Sequence, residues 1–225
     1  MKNLMAELRS FADPVIGSVS HHGLDRPLFH RRGLVVRGRA FIDSDVLPLR
    51  SGAVSVRISK SLGLPARVPD GVGVSIRFPP ATVLVADTSG GWDLMMSGPE
   101  HRVAGVPVKS PAFGWNETRV ASHTAYRYRG ESWHVFGELL TPPVETGLDL
   151  DGLGAALTRD PGVLALTASV EGRPSTPIGT VDFGGEPLED EIDFDPSAVP
   201  DDVQPVHGWR DEVQHARSRG RNGDA

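Results

Sequence analysis

The sequence predicts a mainly β chain of the α+β class, with short antiparallel strands in a barrel or sandwich and a few helices outside them. Three observations carry that prediction. Strand signals recur at short, regular intervals along most of the chain. Apolar and polar residues alternate within them, as Val54, Val56 and Ile58 do against Ser55, Arg57 and Ser59. The 26 glycines and 19 prolines among 225 residues suit many turns better than long helices.

Taken in order, Lys2 to Phe11 has helical spacing, with Leu4, Met5, Leu8 and Phe11 on one side, and Asp13-Pro14 stops it. Residues 1–20 therefore read as an N-terminal helical arm. Polar, turn-prone sequence follows through His21-His22-Gly23. Strands are expected at Gly33 to Ile42, Ala53 to Ser59 and Gly71 to Phe78, where Val72, Val74, Ile76 and Phe78 oppose Ser75 and Arg77. Asp70 and Gly73 shape the turn into the last of these. Thr82 to Ala86 and Trp92 to Met96 read as another pair, joined by the turn Asp87 to Gly91. Tyr126 to Arg129 and Trp133 to Leu140 read as a hairpin across Arg129-Gly130-Glu131. Leu150 to Arg159 is a short helix that ends before Pro161; Val163 to Val170 and Ile178 to Phe183 are the last clear strands. Glu186 to Asp202 is acidic and contains proline, as a surface loop or edge strand does. Trp209 to Arg219 is expected to be a final helix, so that 205–225 forms a C-terminal helix and tail. With no internal repeat, the expectation is a single domain over 1–225.

Composition narrows the function. With 29 acidic against 23 basic residues the formal charge is -6, which argues against a general nucleic-acid binder. The arginines between 210 and 221 are a local exception and read as a solvated tail. The absence of cysteine excludes disulfides, thiolate ligands and cysteine nucleophiles. The first fifteen residues combine a broken apolar pattern with Glu7 and Asp13, so no signal peptide is expected. No apolar run approaches the roughly 20 residues that span a bilayer. A soluble, cytoplasmic protein is the expectation.

The chemistry concentrates at the start of the strand region. His30 stands just before the first strand, and Arg57 and Ser59 share the polar face of the second. Alone, His30 is an ordinary strand-entry histidine beside Arg31 and Arg32. The order of motifs adds to it: His30-x-x-Gly33-x-x-x-x-Gly38, then Val56-Arg57-Ile58-Ser59, then Asp70-x-x-Gly73-x-x-x-Arg77-Phe78, then Trp92-Asp93-Leu94. Over about residues 26 to 98 this resembles the haem catalase superfamily, and its small catalase-like members more than full-length catalases. A second match, Arg210 with Gly220-Arg221, resembles the segment that carries the proximal haem ligand.

The resemblance implies a catalase-like closed antiparallel barrel with peripheral helices. It also implies a haem-binding oxidoreductase acting on peroxide or an organic hydroperoxide. His30 is then the distal acid–base group, with a pKa suited to moving a proton near neutral pH. Ser59 orients that imidazole. Arg57 pairs with a haem propionate through a planar, two-pronged guanidinium. Arg221 lies near the propionates or the proximal side, and Arg210 lies one helical turn before the proximal ligand. The family's iron-ligating tyrosine falls on Gln214, which is a poor iron ligand; the adjacent His215 supplies an imidazole to the metal if the helix slips by one residue. The family's distal asparagine is also missing from Met95-Met96-Ser97-Gly98. A second reading therefore stands beside the first: a haem-free descendant of the fold that binds a small molecule or a protein partner. The expected partners are a peroxide or lipid-like small molecule and, as the family often associates, further copies of the chain. Competing sites find little support. His21-His22, His123, His134 and His207 lack metal-ligand spacing, no Gly-x-Ser-x-Gly elbow is present, and no phosphate-binding glycine loop with Lys and Ser/Thr occurs.

Overall fold

The computed structural model describes residues 33–84, 91–103, 106–189 and 192–206, with backbone alone at 100–103 and 106–109. These residues all belong to one compact unit, Phe29–Val206. The N-terminal helical arm, His21-His22, His30, the C-terminal helix, and with it Arg210, Gln214, His215 and Arg221, lie outside the described residues.

The first strands follow directly from alternation. β1 (Gly33–Ile42), β2 (Gly52–Lys60) and β3 (Val72–Phe78) occupy the segments that the sequence predicts. β4 (Trp92–Gly98) pairs with β3, antiparallel, along its whole length. Over its described residues, 82–84, the strand expected at Thr82 to Ala86 is not there: Pro80–Thr82 forms a 3-10 turn and Val83 makes a lone bridge to Leu49. Pro79 and Pro80 explain the difference, since they fix φ and lack the N–H groups a ladder needs. The Thr82 hydroxyl closes the turn by donating to the Pro79 carbonyl at 2.7 Å.

A two-stranded ribbon follows, β5 (Glu100–Val103) with β6 (Val106–Lys109). β7 (Thr118–Ser122) then rejoins the main sheet beside β4. β8 (Tyr126–Tyr128) and β9 (Glu131–Leu140) form the expected hairpin, with Arg129 and Gly130 at φ 49° and 81°. Left-handed geometry at both turn residues matches the twist of the two strands. α1 (Leu150–Arg159) starts at Asp149, whose carboxylate accepts from the Asp151 amide at 3.2 Å. It buries Leu153, Ala156 and Leu157, and the Leu157 carbonyl accepts from Gly185 N–H. β10 (Gly162–Val170) and β11 (Thr176–Gly184) complete the sheet, and β12 (Gln204–Pro205) adds to β8.

The pairing β1-β2-β3-β4-β7-β9-β10-β11 returns to β1, and β9 pairs with β10 from Trp133 to Leu140. The result is a closed, eight-stranded antiparallel barrel. Closure removes the unpaired edges of the sheet. The interior is apolar, with Val36, Val56, Ile58, Val74, Ile76 and Leu164 among its fully buried side chains. Gly137 lies against Leu164 and Val120 of the two flanking strands, where a Cβ would come within 2.9 Å of Leu164. The acidic stretch after Glu186 is a loop where it is described, not an edge strand.

Candidate functional site

If the apolar set of β1 to β4 points inward, the other set forms one continuous polar face. Register arranges this face in rows across the strands. Gly33 lies opposite Ser59, Ser59 opposite Gly73, and Gly73 opposite Ser97. The next row runs Val35, Arg57, Ser75, Met95, and the next Arg37, Ser55, Arg77, Asp93. The first row is made of glycine and serine alone. Ser59, Ser75 and Ser97 are nevertheless buried, at 2%, 6% and 6% exposure.

Arg57 is half-buried and its guanidinium lies over Gly33. A Cβ built on Gly33 would stand 2.7 Å from the guanidinium carbon, so the glycine is what admits the cation. On the first row, the Ser59 hydroxyl donates to the Gly73 carbonyl across the strand gap at 3.4 Å. Arg57 and Ser59, predicted together from the sequence, are thus brought to neighbouring rows of one face. His30, Arg210, Gln214, His215 and Arg221 lie outside the described residues.

Asp70 fixes the entry to β3. Its buried carboxylate accepts from Leu62 N–H at 3.0 Å, Leu64 N–H at 2.9 Å and Gly71 N–H at 2.7 Å. Its backbone pairs with Ala112 in both directions. Three amide donors on one carboxylate hold the β2–β3 loop in place, the fold role that the sequence suggests. The Lys60 ammonium, also buried, donates to the Leu64 carbonyl in the same loop.

Asp93 is a residue whose role sequence reasoning missed. It is 3% exposed and takes a bidentate ion pair from Arg77 on β3, with Nε to Oδ1 at 2.7 Å. The same carboxylate accepts from Asp195 N–H at 2.8 Å. The hydrogen bond from Arg77 to Asp93 raises the Arg77 pKa above its ordinary value, against some desolvation. The signal was present in Trp92-Asp93-Leu94, because an aspartate inside an apolar strand requires a partner.

Next to it, Trp92 points into the core and meets Tyr126 edge-on, with ring centroids 4.9 Å apart at 76°. Burial pushes the Tyr126 phenol up to about 12, an effect partly offset by the neighbouring Trp92 indole. That indole N–H has no well-aligned acceptor. Among the described residues, no three His, Asp or Glu side chains gather as metal ligands.

Barrel order, register and polar face can be set against solved structures. A fungal catalase superposes with a TM-score of 0.58 over 97% of this chain and 62% of its own, at 13% identity. The fold is catalase-like. A bacterial catalase agrees, with a TM-score of 0.57, 12% identity, and coverage of 98% of this chain and 59% of its own. The chain therefore spans about three fifths of the length of those two catalases. No family model matches the sequence, and no curated protein matches it. No helix among the described residues is long and apolar enough to cross a membrane.

Proposed function

We propose that this chain is a haem-binding, catalase-like oxidoreductase acting on peroxide or an organic hydroperoxide. The observation that carries this reading is Arg57 beside Ser59 on a buried, small-residue face of a catalase-like barrel. What supports the fit is the chemistry of the described residues: Gly33, Ser59, Gly73 and Ser97 place nothing larger than serine on their row, and the half-buried Arg57 offers a cation to the carboxylates of such a group. When bound, haem supplies an iron that exchanges electrons with the peroxide oxygens. The protein's part is positioning and proton movement. Arg57 would hold a propionate, its planar guanidinium able to offer two charge-assisted bonds. His30 takes the proton from one peroxide oxygen and returns it to the other, and Ser59 holds the imidazole in the orientation that this needs. Arg210 and Arg221 add positive charge for the propionates, and His215 is the candidate iron ligand beside Gln214. The same reading takes 1–225 as one cytoplasmic domain that associates with its own copies, acts on a peroxide or lipid-like small molecule and does not use nucleic acid.

Expression with haem supply, followed by a visible spectrum, tests the reading. A Soret band is expected, together with hydroperoxide consumption that falls about a hundredfold or more in His30→Gln. Absence of the band at saturating haem sinks it. Gln214 favours one other reading, a haem-free member of the fold that binds a small molecule or protein through the same face. Small-molecule binding by a purified chain that takes up no haem supports that second reading; one haem per chain with an iron–His215 bond refutes it.

A further inference from the structure

We infer that Trp92, Tyr126 and Trp133 form a relay for one-electron oxidation, running from the inner side of β4 to the surface of the β8–β9 hairpin. The chain holds two tyrosines, four tryptophans and no cysteine. With no thiol present, phenols and indoles are its most readily oxidised side chains. Both tyrosines lie on β8, and Tyr126 stands between two of the tryptophans. On one side its ring meets Trp92 edge-on, with centroids 4.9 Å apart. On the other, register places Trp133 directly opposite it, which brings their Cβ atoms to about 5 Å on one face of the hairpin. Trp92 and Tyr126 are 0% and 4% exposed. Trp133 is only half-buried, at the margin of the same apolar cluster. Neighbouring rings thus lead from the barrel interior to solvent.

The polar heads of the inner pair couple the electron to a proton. The Trp92 indole N–H is buried and has no well-aligned acceptor among the described residues. The polar side chain beside it is the Tyr126 phenol. An unpaired buried donor is a cost that packing alone does not require. Oxidation gives the arrangement a use. An oxidant that takes one electron from Trp92 makes its N–H strongly acidic; the proton passes to solvent and a neutral indolyl radical remains. Its nitrogen is now an acceptor. The Tyr126 O–H gives its proton to that nitrogen and its electron to the indole. The O–H bond breaks, the N–H bond forms again, and the radical rests on the phenol oxygen. An external one-electron donor at Trp133 and a proton from solvent restore the phenol. Asp93, next in sequence to Trp92, lies on the outer face of the same strand. On the functional reading above, on which this last link rests, the oxidant is the one that peroxide generates on that face.

Pulse radiolysis of the full chain without haem reads the relay by itself. Azide radicals take one electron from accessible tryptophan. The tryptophanyl absorption is expected to decay, at a rate independent of protein concentration, into that of a tyrosyl radical. The tyrosyl signal is expected to be lost in Tyr126→Phe, kept in Tyr128→Phe and slowed in Trp133→Phe. No such conversion in the native chain, or one unchanged in Tyr126→Phe, overturns the relay; an unchanged rate in Trp133→Phe removes its outer end. Electron paramagnetic resonance of the haem-loaded chain after peroxide tests the inner end. A tyrosyl signal is expected that Trp92→Phe loses, and a signal that survives this change overturns the role of Trp92. Should Trp92→Phe fail to fold, benzothienylalanine at 92, an isostere without the N–H, carries the same test. If the native chain takes up no haem, the functional reading fails, and radiolysis still decides whether Trp133 and Tyr126 exchange an electron.

Discussion

Arg57 and Gly33 are a matched pair: the guanidinium occupies the space that any larger residue at 33 would need. Gly33→Val therefore tests the cation's position without removing its charge. Valine suits a strand, and what it meets is the far end of a flexible side chain, so the barrel is expected to fold normally. Haem affinity, measured by absorbance titration, is expected to drop about tenfold, or about 1.4 kcal/mol. Tyr126 makes a second residue-scale prediction. Its phenol titrates near 12 in the folded chain against an ordinary value near 10. The unfolded chain thus releases this proton first, and stability that is fully present below pH 10 is lost as pH rises from 10 to 12. The shift corresponds to about 3 kcal/mol. Denaturant melts at pH 9 and pH 11.5 are expected to show about 2 kcal/mol of that loss in the native chain and a smaller loss in Tyr126→Phe.

The β8–β9 hairpin isolates a backbone effect at the scale of the element. Gly130 sits at φ 81° with nothing within 4 Å of where a Cβ would be. Gly130→Ala is therefore expected to cost about 1 kcal/mol from conformation alone, lowering the melting temperature by about 2–4 °C. Calorimetry checks it, and an unchanged midpoint contradicts the turn geometry. Elements of this kind were legible in the sequence because their cause is local. β1 and α1 fall where alternation, capping and Pro161 put them. β7 was invisible because five residues whose buried apolar side chains, Val120 and Ala121, are adjacent rather than alternating carry too little pattern. The described part of Thr82 to Ala86, residues 82–84, misled because it is β-prone, while the prolines before it decide the outcome there. The site divides in the same way. Arg57 and Ser59 share a face by alternation within one strand, whereas Asp93 meets Asp195 across 102 residues, a distance over which no local pattern reaches.

Over the whole molecule, barrel closure turns four consecutive strands into a rigid wall, and the rows on that wall exist only because the register is fixed. The inner side is packed with apolar residues, so chemistry is confined to the outer, polar side. That side offers a cation, hydroxyls and low relief, and the acidic segment tied to Asp93 runs along its border. The central claim is that this wall binds haem. Titration of the purified full chain with haem, followed in the Soret region, tests it most directly. A band that saturates at one haem per chain and weakens in Arg57→Leu is the predicted result; no Soret band at saturating haem would contradict it.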